Sequence, residues 1–359
     1  MNEFALRLLE KMPENAAYAV FRPENRRYLT GITSSNGMVL ICKEKQAFYT
    51  DFRYITMARN DIRPGYEVVL LEKSFAKTLA QDLPSSVDKL YFEDGFLTYA
   101  EYRVLADELS SRMELIGDEK ILSDLRICKS DEEIEKIKKA QSFTDHAFTH
   151  VCEFISANWK KGDLTEKRIA AEIDYAMKCA GAANPSFDTI VAAGENGAKP
   201  HAVPSDRVIR DGDMITMDFG SVYDGYCSDM TRTVAVGSIS DHQKEIYDIV
   251  LQAQLNALQN LRAGMTGKEI DALARDYIAE KGYGEAFGHS LGHGVGLMIH
   301  EAPNFSSRFE GVIPAGSVMS VEPGIYLADD CGVRIEDFVV VTEDGCINLT
   351  HSPKELILL

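Results

Sequence analysis

The 359-residue sequence predicts two domains: an α/β domain over 1–124 and an α+β domain over 125–359 made of two related halves. Three observations carry this. The chain is too long for one ordinary core. Helix and strand patterns alternate up to about residue 122, and a capping signal then opens a long helix. Beyond it the sequence repeats itself: "KKGDLTEKRIAAEIDYAMKCAG" (160–181) resembles "RAGMTGKEIDALARDYIAEKG" (262–282), and "IRDGDMITMDFG" (209–220) aligns with "IPAGSVMSVEPG" (313–324).

In the first domain an amphipathic helix is expected over 2–12. It contains acids and lacks the unbroken apolar run of a secretory signal. "AAYAVF" (16–21) reads as a strand and "GMVLICKEKQAFYTD" (37–51) as a hairpin. "YEVVLLE" (66–72) and "KLYFEDG" (89–95) read as further strands, with helices near 75–82 and 98–111. No glycine-rich phosphate loop joins strand to helix, so no nucleotide site is expected. In "SDEEIEKIKKA", Ser130 and Glu133 form a capping box, and Ile134, Ile137 and Ala140 begin an apolar stripe. This helix is expected to bridge the domains.

Composition excludes several partners. A net charge of −18 without a Lys/Arg cluster excludes a nucleic-acid footprint. No stretch approaches the roughly 18 apolar residues that span a membrane. The seven cysteines are odd in number and form no CxxC, which predicts reduced thiols in a cytoplasmic protein.

In the second domain each repeat carries a Gly, a Thr cap, an amphipathic helix and a closing Gly. Gly212 and Gly316, Asp218 and Glu322, and Gly220 and Gly324 are each separated by 104 positions. Two copies thus place a carboxylate at the same strand position, which predicts a pseudo-twofold domain with a site between its halves. Asp218 is the acid of an apolar strand, "MITMDFG", where an unpaired charge is rare. The Asp224-Gly225 pair signals a hairpin turn. That turn sets Asp218 opposite Thr231 and puts Asp229 on the same face as a diagonal neighbour, roughly 7–8 Å away at Cα. Glu322 and Glu336 flank a second turn around "ADDCG" (328–332). Asp224, Asp329 and Asp330 read as solvated turn residues. Carboxylates brought this close repel unless protonated or holding a cation.

The stretch "FGHSLGHGVGLMIHE" (287–301) supplies His289, His293 and His300. Their spacing suits one face of a helix, but the interleaved Gly288, Gly292, Gly294 and Gly296 exclude a ligand helix. The glycines are expected to allow close backbone approach to metal and substrate. Four carboxylates and one imidazole suffice for two divalent ions about 3.5–4 Å apart. An oxygen-rich set favours Mn, with Co or Zn as alternatives.

The combination of "MDFG…SDMTRT", "GHSLGHGVGLMIHE", "VEPGIY" and "GVRIED" resembles the Xaa-Pro peptidases, aminopeptidase P and prolidase, of the pita-bread metallopeptidases. The likeness covers the whole chain. It implies an α/β N-terminal domain, a pita-bread catalytic domain and a homodimer. It also implies Asp218, Asp229, His293, Glu322 and Glu336 as ligands of two metal ions, with Asp229 and Glu336 bridging. His201, from "KPHAVPSD", with His289 and His300 would line the substrate pocket. Tyr326 and Arg334 would orient Asp218, and Glu322 would act as general acid/base.

Proline explains the need for a dedicated site. The bond before it is a tertiary amide without an N–H, and the ring holds φ near −65°. Within the family, dipeptidases often show an Arg shortly after the "HE" of the third histidine, where this chain has Asn304 in "HEAPNFS". That departure favours an Xaa-Pro aminopeptidase, with a dipeptidase as the alternative and Arg308 as a substitute cation. A non-catalytic pita-bread binding protein is the reading from a different class.

Overall fold

Short strands alternate with helices, and the side chains of Asn2, Ser74, Thr98, Ser130, Thr165, Ser240 and Thr266 cap helix starts by accepting backbone amides. The computed structural model describes residues 2–328 and 330–359, so Asp329 lies outside the described residues. The chain divides into two units, Met1–Arg126 and Ile127–Leu359.

The first unit contains α1 (Glu3–Leu9), β1 (Ala16–Val20), α2 (Pro23–Thr30), β2 (Met38–Ile41), β3 (Gln46–Thr50), α3 (Ile55–Asp61), β4 (Glu67–Leu70), α4 (Phe75–Asp82), β5 (Lys89–Phe92), α5 (Tyr99–Leu109), β6 (Glu114–Gly117) and α6 (Lys120–Leu125). Its sheet runs β4-β3-β2-β1-β5-β6. The expected strands and the 37–51 hairpin are present. Helix α2 escapes an apolar-period reading because Asn25 and Arg26 are among its buried residues. The two terminal nitrogens of Arg26 donate to the carbonyls of Phe21, Ser34 and Gly37. Pro23 starts this helix and Gly31, at φ +80°, ends it.

The second unit opens with α7 (Asp131–Asn158), capped reciprocally by Ser130 and Glu133. This helix lies wholly inside the second unit. The remaining elements are α8 (Glu166–Ala180), β7 (Asn184–Pro185), β8 (Ile190–Ala193), β9 (Met214–Phe219), β10 (Ser221–Tyr223), β11 (Tyr226–Cys227), β12 (Met230–Ala235), α9 (Asp241–Asn260), α10 (Gly267–Glu280), β13 (Gly292–Gly294), β14 (Glu301–Phe305), β15 (Val318–Val321), β16 (Gly324–Tyr326), β17 (Gly332–Arg334), β18 (Asp337–Thr342) and β19 (Gly345–Asn348), with short 3₁₀ turns between some of them. Among the described residues no helix is long and apolar enough to cross a membrane.

The repeat is visible in the topology. Strand β9 is central to the order β12-β9-β8, and β15 sits between β13 and β18 in β14-β13-β15-β18-β19. Thr165 and Thr266 each cap the helix of their half. Gly212 and Gly316 share left-handed φ values of +86° and +85°. Ile169 and Ile173 of α8 share one apolar core with Ile215 and Met217 of β9, as Ile270 and Ala274 of α10 share another with Met319 and Val321 of β15. One packing scheme is used twice.

The two hairpins differ in register. Asp224 and Gly225, at φ +46° and +79°, form the tight turn that the sequence predicts. Asp218 accordingly lies opposite Thr231. In the second half Val321 faces Asp337 and Gly324 faces Arg334, so Glu322 comes directly opposite Glu336.

Candidate active site

Five carboxylate and imidazole side chains converge where the halves meet. Asp218 comes from the end of β9, Asp229 from just before β12, His293 from β13, and Glu322 and Glu336 from the residues after β15 and before β18. All five line a cavity of about 560 Å³ together with His201, His289, His300, Asn304 and Arg334. Tyr326 lies behind that wall. Arg308 is not among the lining residues.

The acidic lobe is tight. Carboxylate oxygens of Asp218, Asp229 and Glu336 lie within 4.8 Å of one another. His293 completes a second lobe, with Nε2 3.6 Å from Asp229 Oδ2 and 3.3 Å from Glu322 Oε1. Its Nδ1 sits 3.1 Å from the Gly294 carbonyl. A proton on Nδ1 satisfies that carbonyl, so Nε2 is the nitrogen that faces the acids.

The cluster is electrostatically unsettled without a cation. Burial, then the charge of Asp218, pushes the Asp229 carboxyl well above its ordinary range. Burial, then Asp229, does the same to Glu336. Burial also raises Asp218, with Arg334 pulling the other way. For His293 burial alone disfavours charge, yet the hydrogen bond and charge of Glu322 hold its pKa up at about 9. Glu322 shows the converse: burial raises it, and His293 overcomes this and brings it down to about 2. Asp218 Oδ1 and Glu336 Oε1 are buried and accept no hydrogen bond. Buried acceptors left unpaired are costly, and a cation between them offsets the repulsion and satisfies both oxygens. The donor set therefore fits divalent metal.

A layer behind the acids holds them in place. Arg334 Nη2 donates to Asp218 Oδ2 at 2.7 Å, Nη1 to Tyr326 Oη at 2.8 Å, and Nε to Thr231 Oγ1 at 3.0 Å. Thr231 Oγ1 in turn donates to Glu336 Oε2 at 2.8 Å. His289 Nδ1 lies 2.8 Å from the Ser290 carbonyl and Nε2 2.8 Å from Tyr326 Oη. Both its ring nitrogens thus have protein partners. His201 and His300 are exposed on the cavity wall. The His300 ring packs 4.4 Å from that of His293. Burial, then His293, lowers the His300 pKa.

Three contributors escape a motif-based reading. Ser320 Oγ accepts from the His293 amide at 3.0 Å and donates to Glu322 Oε1 at 3.1 Å. Its signal was its place two residues before Glu322, on the same face of the strand. Asp271 and Arg275, one turn apart on α10, hold the histidine segment from below. Asp271 Oδ1 accepts the Leu291 amide at 3.0 Å, and Arg275 donates to the carbonyls of Phe287 and His289 at 2.9 and 2.7 Å.

The glycines of 287–301 need a correction. A Cβ on Gly292 would strike the Ser320 carbonyl oxygen, and one on Gly294 would strike Ala302. The packing of neighbouring strands is by itself enough to impose these two glycines. Segment 287–301 contains no helix, as expected.

Residues 135–343 match the sequence pattern of metallopeptidase family M24, and residues 6–128 match the creatinase/prolidase N-terminal domain. The chain belongs to family M24. It is 39% identical over 360 residues to an Xaa-Pro dipeptidase of Pyrococcus horikoshii, covering 99% of each chain. Among solved structures, an Xaa-Pro dipeptidase from Bacillus anthracis is 43% identical, with TM-score 0.95 and 99% of each chain covered. An X-Pro aminopeptidase from Thermotoga maritima MSB8 is 37% identical, with TM-score 0.90 and 99% of each covered. This M24 chain is therefore an enzyme, a metallopeptidase of the pita-bread fold, whose catalytic unit uses divalent metal.

Proposed function

We propose that this protein is an Xaa-Pro dipeptidase, a prolidase that hydrolyses the bond between an N-terminal residue and a following proline. The observation that carries it is the whole-chain likeness to the Bacillus anthracis Xaa-Pro dipeptidase, at 43% identity and TM-score 0.95. This replaces the aminopeptidase preference drawn from Asn304. That preference keeps one support: Asn304 lines the cavity directly across the strand pair from His293, where it presents a neutral amide. Aminopeptidase action on longer peptides is accordingly the second reading.

In this proposal Asp218, Asp229, His293, Glu322 and Glu336 hold two divalent ions, Mn before Co or Zn. The chemistry such ions supply when bound is Lewis acidity toward the substrate carbonyl and activation of water at neutral pH. Glu322, held ionised beside His293 and Ser320, takes a proton from the attacking water at its carboxylate and delivers it to the proline nitrogen as the C–N bond breaks. His201 and His300 bind and orient the peptide from the cavity wall, and Arg334 with Tyr326 keeps Asp218 oriented. His289 meets the peptide from a ring already anchored by Tyr326. The reading extends to a cytoplasmic homodimer. Seven free thiols support the reducing compartment, and sedimentation tests the dimer.

Mn-loaded protein assayed on Xaa-Pro dipeptides and Xaa-Pro-Xaa tripeptides tests the assignment. A dipeptidase prefers the dipeptide at least about tenfold in kcat/KM, or about 1.4 kcal/mol of transition-state discrimination. Equal or better cleavage of tripeptides makes it an aminopeptidase.

A further inference from the structure

Glu166 has no part in the site described so far. It is the first residue of α8, directly after the Thr165 cap, and is fully buried at 0% exposure. Nothing in the repeat requires it, because the matching position after the Thr266 cap is Gly267. Its carboxylate accepts from the Ala193 amide at 2.7 Å, the Ser205 amide at 2.9 Å and Ser205 Oγ at 2.6 Å. Asn196 Nδ2 donates to both oxygens, at 3.1 and 3.0 Å. A buried acid with this many donors is a designed acceptor, since each donor left unmatched would be costly.

The partners define what it does. Ala193 and Asn196 stand at the start of a loop, and Ser205 at its end. Between them Pro200, His201, Val203 and Pro204 line the cavity, and Val203 is 80% exposed. Within the loop the Lys199 amide bonds Asn196 and the Ala202 amide bonds Lys199. At its middle the Pro200 carbonyl accepts from Arg334 Nη1 at 3.3 Å. One carboxylate thus ties both ends of the substrate-facing wall to the rigid start of a helix.

We propose that Glu166 is a positioning residue for peptide binding. It holds the His201 loop at the distance the substrate needs, and it acts on affinity for peptide without touching the metal ligands. This deepens the proposed peptidase function and rests on that reading for its kinetic part.

The test compares full-length wild type, Glu166→Gln and Ser205→Ala, all Mn-loaded. Glutamine keeps the shape and loses acceptor capacity. Glu166→Gln is expected to raise KM for an Xaa-Pro dipeptide about fivefold or more, with kcat within about twofold. Metal stoichiometry stays that of wild type. Amide hydrogen exchange in 193–205 speeds up about tenfold or more, while exchange in 287–301 is unchanged. Ser205→Ala, which removes the hydroxyl that donates to Glu166 and accepts the Arg207 amide, moves KM and exchange the same way by less, and decides the matter if Glu166→Gln does not fold. Unchanged exchange in 193–205, unchanged KM, or a loss of metal in step with activity would each overturn the proposal. If wild type cleaves no Xaa-Pro peptide, the peptidase reading falls, and exchange still decides whether Glu166 clamps the loop.

Discussion

Arg334 reaches Asp218 with one nitrogen at 2.7 Å while Asp218 Oδ1 accepts nothing, so the guanidinium pins one carboxylate oxygen and leaves the other turned to the centre. The same side chain holds Tyr326 and Thr231. Lysine carries the charge but not the planar fork that serves Asp218, Tyr326, Thr231 and the Pro200 carbonyl together. Arg334→Lys is expected to weaken metal affinity about 10–100-fold, the usual effect of losing a partner of a ligand. Calorimetric titration with Mn checks this, and wild-type affinity would refute it.

Ser320 serves His293 and Glu322 at once. Ser320→Ala leaves the His293 amide without its acceptor and should lower stability by about 1–3 kcal/mol. Glu322 also loses a donor that favours its charged form, so the acid limb of the kcat/KM profile should move to higher pH. Denaturant melts and a pH series give both readings; a stable variant with an unmoved acid limb counts against the role.

Metal removal should make stability depend on pH in a defined direction. His293 has its folded pKa raised to about 9, so its contribution is complete below the unfolded value of about 6.5 and lost as pH rises toward 9. Asp229 and Glu336, also raised, act with the same sign. His289 and His300 have lowered pKa values and are already neutral above pH 7. Chelator-treated protein should therefore melt at a lower temperature at pH 9 than at pH 7, and Mn added at pH 8 should raise the melting temperature. A metal-free melting temperature that rises over this range would contradict the cluster's electrostatics.

Gly292 separates packing from ligation. A methyl group there meets the Ser320 backbone, which cannot rotate away. Gly292→Ala should cost at least about 1–3 kcal/mol through overpacking and displace His293 from its partners. Gly288, which has nothing within 4 Å, should tolerate alanine. Thermal melts and metal content of the two variants distinguish them, and equal behaviour would restore the close-approach explanation.

The α/β then α+β order, the duplication, the caps at Ser130, Thr165 and Thr266, and the turn at Asp224-Gly225 were legible because each depends on nearest neighbours or on strict periodicity. That turn alone set Asp218 against Thr231 through the period of two along a strand. Helix α2 was not legible, since its buried Asn25 and Arg26 find partners outside its own pattern. The aminopeptidase preference placed weight on one residue, Asn304, whose effect depends on everything else facing the substrate.

By itself the sequence determined the local geometry and the stock of acids and histidines that the fold has to bring together. Only tertiary structure decided that Glu322 faces Glu336 across a longer loop, that Ser320 supports two site residues, and that Gly292 answers to a neighbouring backbone. These relations join residues far apart in the chain, and they are set by which strands pair and how closely they pack. No local pattern encodes such distances, because the energy that fixes them is shared among elements that meet only in the folded molecule.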